Sequence, residues 1–265
     1  RDRRGDIALK MAYCYTKSLQ TEKAIAAYSN AIRYKRATLQ DSLSYARLLL
    51  KSGAYPAAEK VLTDLHREQP DDPLTSDALV SAQRAQQWKK SGSRYTVKRM
   101  DVFNSRRAEY CPMLFGDNYD QLYFTSTRNE AMGDEISGIT GTKPGDIFLS
   151  QKDDAGKWSK PEVVTGGLNT NNDEGACCFS TDGREMYLTQ CTTDPTFPRY
   201  ATIVKSSRSD AAWGKASEVK LTADTLSNFA HPAISPDGLW LYFTSDMPGG
   251  KGGLDIWRVR ITPSG

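Results

Sequence analysis

The chain has 265 residues, 38% of them apolar, with 35 Lys+Arg, 32 Asp+Glu, two histidines and a formal net charge of +3 at pH 7. That is enough apolar material for more than one core, and no run approaches the ~18 apolar residues of a membrane-spanning helix. Residues 1–100 hold 19 basic against 10 acidic side chains and the remainder 16 against 22; the basic residues are scattered without a binding motif, which argues against a nucleic-acid partner.

The amino-terminal third, residues 1–92, reads as helical. Ala12 and Ala46, Ala24 and Ala58, Tyr28 and Leu62, and Ala31 and Leu65 are each 34 residues apart. Small residues at the crossings and a bulky one at the Tyr28/Leu62 position suit antiparallel helices that approach closely. Gly53-Ala54-Tyr55 turns the second pair, Pro70 ends it, and a further helix over about 74–88 is expected to cap the apolar face. The period resembles that of tetratricopeptide repeats. In such repeats the first helix of each pair lines the concave side. Tyr13, Lys17, Arg47 and Lys51, again at 34-residue offsets, are therefore the candidate surface for an extended or acidic partner. Cys14 is expected to fill a small apolar space on the first helix.

Residues 93–265 repeat one strand-turn-strand pattern three times, ending in Leu-Tyr-Phe-Thr-Ser (122–126), Met-Tyr-Leu-Thr (186–189) and Leu-Tyr-Phe-Thr-Ser (241–245). Two copies turn through Thr181-Asp182-Gly183 and Pro236-Asp237-Gly238, where glycine supplies positive φ, and the first through Gly116 to Asp120. Third strands follow at 145–150, 201–206 and 254–259, beginning Gly145-Asp146-Ile147, Ala201-Thr202-Ile203 and Leu254-Asp255-Ile256. After the first two, Trp158 and Trp213 announce fourth strands at Glu162-Val163-Val164 and Glu218-Val219-Lys220. Tyr95–Phe103 has the place of another outer fourth strand, a strap that closes a ring. Asn104-Ser105 and Asn169-Thr170 precede Glu109 and Glu174 at equal spacing. Because these glutamates recur, they read as acceptors for linking backbone rather than as an acid/base pair.

Reactive chemistry finds little support. Cys14, Cys111, Cys177, Cys178 and Cys191 fit no metal spacing, adjacent Cys177 and Cys178 point to opposite strand faces, and free thiols are expected. His66 and His231 belong to no nucleophile motif, and the Gly249–Gly253 loop joins strands instead of opening a helix, so neither a catalytic site nor a cofactor is expected. The long loop Arg128–Pro144 is a second candidate surface, with Arg128, Asp134 and Glu135. Asp134 and Glu135 alone offer too few oxygens to define a calcium site.

Together, the Asn-Thr, Glu, Asp-Gly and Leu-Tyr-Phe elements, Pro248-Gly249-Gly250-Lys251-Gly252-Gly253-Leu254-Asp255-Ile256 and Gly-Lys-Trp-Ser-Lys-Pro resemble the PD40 (WD40-like) propeller repeats of Bacteroidota OmpA-family envelope proteins, over about residues 94–261. The expected architecture is multidomain: a helical domain at 1–92 and all-β propeller blades at 93–265. The order of modules is similar to the PorE-type component of the type IX secretion system. That resemblance implies a non-catalytic scaffold in the periplasm, associated with the outer membrane through a lipid anchor, which links the outer-membrane secretion machinery to the cell wall by contacts with other envelope and secretion-system proteins. It also implies a following OmpA-like domain that binds peptidoglycan. Since the chain opens without Met and stops within a third blade, a preceding signal segment and further blades are expected. Two alternatives stand beside this: a propeller that gates a prolyl-oligopeptidase-like hydrolase, and a glycan-binding propeller.

Overall fold

The computed structural model describes residues 2–136, 141–192, 200–209 and 212–262. They form two compact units, Arg1–Lys98 and Arg99–Gly265, so residues 93–98 group with the helices and not with the strands.

The first unit contains α1 (Asp2–Lys17), α2 (Thr21–Arg33), α3 (Leu39–Lys51), α4 (Tyr55–Glu68) and α5 (Pro73–Ser91). Local sequence fixes their starts. Thr38 Oγ1 accepts the Asp41 N–H at 3.2 Å while the Asp41 carboxylate accepts the Thr38 N–H at 2.9 Å, a reciprocal cap on α3. Asp72 accepts the Leu74 and Thr75 N–H groups ahead of α5, where Pro73 has no N–H to lose. All eight residues in the 34-residue pairs are buried, with Ala12, Ala24, Ala31, Ala46, Ala58 and Leu62 fully so. Cys14 departs from expectation: it is exposed, because two residues on from buried Ala12 the helix has turned to its far side.

Among the described residues, the second unit holds three antiparallel sheets. The first orders β1 (Glu109–Phe115), β2 (Gln121–Ser126), β3 (Asp146–Gln151) and β4 (Glu162–Val163). The second orders β5 (Asp173–Phe179), β6 (Glu185–Cys191), β7 (Ala201–Ser209) and β8 (Ala212–Trp213), with β9 (Ser217–Glu218) also on β7. The third holds β10 (Phe229–Ile234), β11 (Trp240–Ser245) and β12 (Asp255–Arg260). Gly183 and Gly238 take φ of 67° and 71° in the two Asp-Gly hairpins, the left-handed conformation those turns require.

A repeated backbone bulge joins the sheets. Each first strand is bulged, between Tyr110 and Met113, Gly175 and Cys178, and Ala230 and Ala233. At the bulge Cys111, Ala176 and His231 all have φ near +50°, at 51°, 51° and 54°. The bulge N–H groups of Ala176 and His231 turn out of their own ladder and donate to Thr125 Oγ1 at 3.2 Å and Thr189 Oγ1 at 2.8 Å. These threonines are the Thr of Leu-Tyr-Phe-Thr-Ser and Met-Tyr-Leu-Thr on the preceding sheet.

The second sheet is covered on both faces. Tyr123, Ile147, Cys177, Met186, Leu188 and Trp213 fill the layer toward the first sheet, and Cys178, Tyr187, Ile203, Phe229, Leu241 and Phe243 the layer toward the third. Cys177 and Cys178 thus point to opposite faces and are both core. The expected strand at Tyr95–Phe103 is absent: those residues form no strand, Val97 is 95% exposed, and among the described residues β12 pairs with β11 alone. Strand-forming residues without an adjacent edge have no backbone partner to extend against. Phe103 instead packs by its edge on Phe124 and Trp158, with centroids at 6.2 and 5.3 Å.

Candidate functional site

The four helical candidates are all on the surface. Tyr13 is 60% exposed on α1 with the Lys17 ammonium 5.5 Å from its ring centre, and Arg47 and Lys51 are exposed on α3. Arg47 also reaches the start of α5 electrostatically. The Asp72 carboxyl is held below the usual range chiefly by the Thr75 hydroxyl, with backbone N–H bonds and the Arg47 charge adding to that. The candidates are therefore three exposed cations and one exposed aromatic ring, two on α1 and two on α3.

The loop after β2 divides. Asp134 and Glu135 are exposed, and Asp134 meets Lys143 at 3.4 Å. Arg128 overturns its assignment as a partner contact, for it is only 6% exposed. Its guanidinium donates to Ser126 Oγ at 3.0 Å, the Phe103 carbonyl at 2.6 Å and Glu109 Oε1 at 3.3 Å, and lies over the Phe148 and Phe124 rings at 4.9 and 5.3 Å. A buried planar cation paired on its edge and stacked on its face is a structural clamp.

The recurring glutamates accept linker backbone, as their matched positions imply. Glu109 Oε2 takes the Ser105 N–H at 3.1 Å and Glu174 Oε2 the Thr170 N–H at 3.0 Å, while each Oε1 takes the neighbouring hydroxyl at 2.5 Å. Beside Glu174 lies a group of carboxylates that the sequence did not single out. Asp146 is fully buried; its Oδ2 accepts the Met132 N–H at 2.6 Å and its Oδ1 has no hydrogen-bond partner. Burial pushes its carboxyl up to about 6, with Glu174 and Asp173 adding to the rise and Lys143 opposing it. Asp173 Oδ1 accepts the Gly145 N–H at 2.9 Å, and burial raises both Asp173 and Glu174. The signal available was the repeated Asp-Ile-Phe/Trp: Asp255, at the same place in β12, accepts the Lys251 and Gly252 N–H groups at 2.7 and 2.9 Å. In both sheets the third-strand aspartate holds the loop that precedes it. No group of three metal-ligating side chains is found among the described residues.

The histidines are engaged otherwise. His231 is exposed at the third bulge. His66 Nδ1 lies 3.3 Å from Ser76 Oγ, but that hydroxyl is positioned to donate to the Asp72 carbonyl at 3.0 Å, which directs its proton away from the imidazole. The sheet unit also carries an open cleft of about 520 Å³ at its hairpin ends, lined by Phe115, Phe179 and Arg208 among others.

No family model matches the chain and no curated protein does. Among solved structures, a puromycin-hydrolyzing peptidase of Mycobacterium tuberculosis is similar over 60% of this chain and 21% of its own, at 18% identity and a TM-score of 0.38. The chain thus spans about a fifth of that protein's length, and a likeness at that level transfers neither activity nor substrate.

Proposed function

We propose that this chain is a non-catalytic assembly module of the bacterial envelope: tetratricopeptide-like hairpins followed by PD40-type propeller blades, acting as a scaffold in type IX secretion. In this reading the helices dock an envelope or secretion-system protein on the periplasmic side of the outer membrane. Peptidoglycan is held by an OmpA-like domain outside these residues, and the membrane is reached through a lipid anchor or a partner.

The observation that carries the reading is the division of labour among the charged side chains. Those that recur or are buried in the sheets, Glu109, Glu174, Arg128 and Asp146, are engaged with backbone and neighbouring side chains. Tyr13, Lys17, Arg47 and Lys51 stand exposed at matched offsets on α1 and α3. The coincidence of the 34-residue spacing with burial, and the threonine-to-bulge bond between successive sheets, support the repeat assignments.

A photo-crosslinking residue at position 17 or 47 of the full-length protein, in cells that carry it, tests the reading. The expected products join it to outer-membrane secretion components. Crosslinks confined to substrates undergoing cleavage, or products unchanged when the label is moved to the buried position 62, would overturn it.

A further inference from the structure

The cleft at the hairpin ends contains a cation, Arg208, whose guanidinium has no hydrogen-bond partner among the described residues. Arg208, near the end of β7, is half-buried, with its guanidinium carbon 4.8 Å from the centre of the Phe115 ring and 5.6 Å from that of Trp213. Phe179 ties these rings together, at 4.3 Å from Phe115 and 5.8 Å from Trp213. The Arg208 backbone N–H bonds the Arg184 carbonyl at 3.0 Å, but among the described residues its guanidinium donors have no hydrogen-bond or ion-pair partner.

The first sheet shows what the stacking alone requires. Lys152 pairs with Trp158 in the register in which Arg208 pairs with Trp213, and its ammonium lies 4.8 Å from the Trp158 ring. A lysine therefore suffices to cover the tryptophan. Arginine adds a planar fork beside two rings, whose donors have no partner among the described residues and match a planar anion. Its conformational freedom is already restricted before any ligand arrives. The lining of the cleft around it includes Phe115, Phe179 and Ile234, together with Asp117 and Asp182. Asp182 is engaged by Ser180 Oγ at 2.6 Å and the Arg184 N–H at 3.0 Å, which hold its carboxyl below the usual range. Two negative charges in the lining oppose a multiply charged anion such as phosphate, or a polyacidic ligand, more strongly than a single carboxylate.

We propose that this cleft binds the carboxyl end of a peptide, pairing its single carboxylate with the Arg208 guanidinium and seating an apolar or aromatic last side chain against Phe115 and Phe179. The site does not depend on the assembly reading, since a carboxylate ligand would occupy it whether or not the helices dock a partner.

The test titrates the whole chain with N-acetylphenylalanine, its amide and inorganic phosphate, following the Trp213 indole resonance by NMR. The free acid is expected to shift that resonance with a dissociation constant on the order of millimolar, with the amide and phosphate at least about tenfold weaker. Arg208→Lys, which keeps the charge and loses the fork, is expected to weaken the acid about three- to tenfold, and Arg208→Gln to abolish the shift. Equal binding of acid and amide, stronger binding of phosphate, an unchanged titration in Arg208→Lys, or no shift with up to about 50 mM acid would each overturn the proposal. If Arg208→Gln does not fold, the acid, amide and Arg208→Lys comparisons decide it.

Discussion

Asp146→Asn is expected to stabilise the sheet unit at neutral pH and to lose that advantage in acid. The carboxyl lies at the start of β3, facing Asp173 and Glu174 from β5, the Met132 N–H and Lys143 from its own loop. Its folded-state value is raised from 3.8 to about 6. The folded chain therefore binds this proton more tightly than the unfolded one does. The group's favourable contribution is full below about pH 4 and is lost as the pH rises through about 6. At neutral pH the buried charge costs about 3 kcal/mol as a ceiling, and ~1–2 kcal/mol with solvent screening at the loop. Asparagine keeps an oxygen for the Met132 N–H and places an amide where Oδ1 has no partner. Urea unfolding of natural and variant chains, followed by tryptophan fluorescence, should give a difference of ~1–2 kcal/mol at about pH 7.5 that falls toward zero at about pH 4. A variant that is less stable at pH 7.5, or a difference independent of pH, would refute the reasoning.

Leu62→Ala in α4, at a fully buried position, should cost 2–5 kcal/mol of helical stability, ~2 at the least, by the cavity it leaves; the measurement is helical circular dichroism against urea. Thr189→Val removes the acceptor of the His231 N–H at little change in volume, and should cost about 1–3 kcal/mol with faster hydrogen exchange at His231. The Cys177 and Cys178 thiols, each pushed up to about 12 mainly by burial, should resist alkylation near pH 8 in the folded chain and react in urea, whereas exposed Cys14 should react in both states.

The helical part of the fold was legible because it depends on volume at fixed spacing. Ala12 and Ala46, or Tyr28 and Leu62, are buried for the same reason that they recur: close helix crossings admit only certain sizes. The strand pattern was legible because alternating faces are written into Leu-Tyr-Phe-Thr-Ser, and it located both cysteines correctly on opposite sides of β5. What stayed hidden depends on neighbours distant in the chain. Tyr95–Phe103 has strand-like residues, but whether it extends rests on an available edge. Arg128 reads as a surface charge until Phe103, Phe124, Phe148 and Glu109 close around it. Asp146 reads as an ordinary polar residue at the start of a strand, and only the packing of β3 beside β5 brings Asp173 and Glu174 to it. The bulges had no local signal, since Cys111, Ala176 and His231 share no side-chain property that favours positive φ.

In the proposed function, the exposed basic residues of α1 and α3 dock an envelope protein. The most direct measurement of that docking is the affinity of the full-length protein for the isolated outer-membrane secretion complex, with and without Lys17→Glu, Arg47→Glu and Lys51→Glu together. The triple variant is expected to lose at least about tenfold in affinity, about 1.4 kcal/mol or more, with an unchanged unfolding curve. Undiminished binding by a correctly folded triple variant would contradict it.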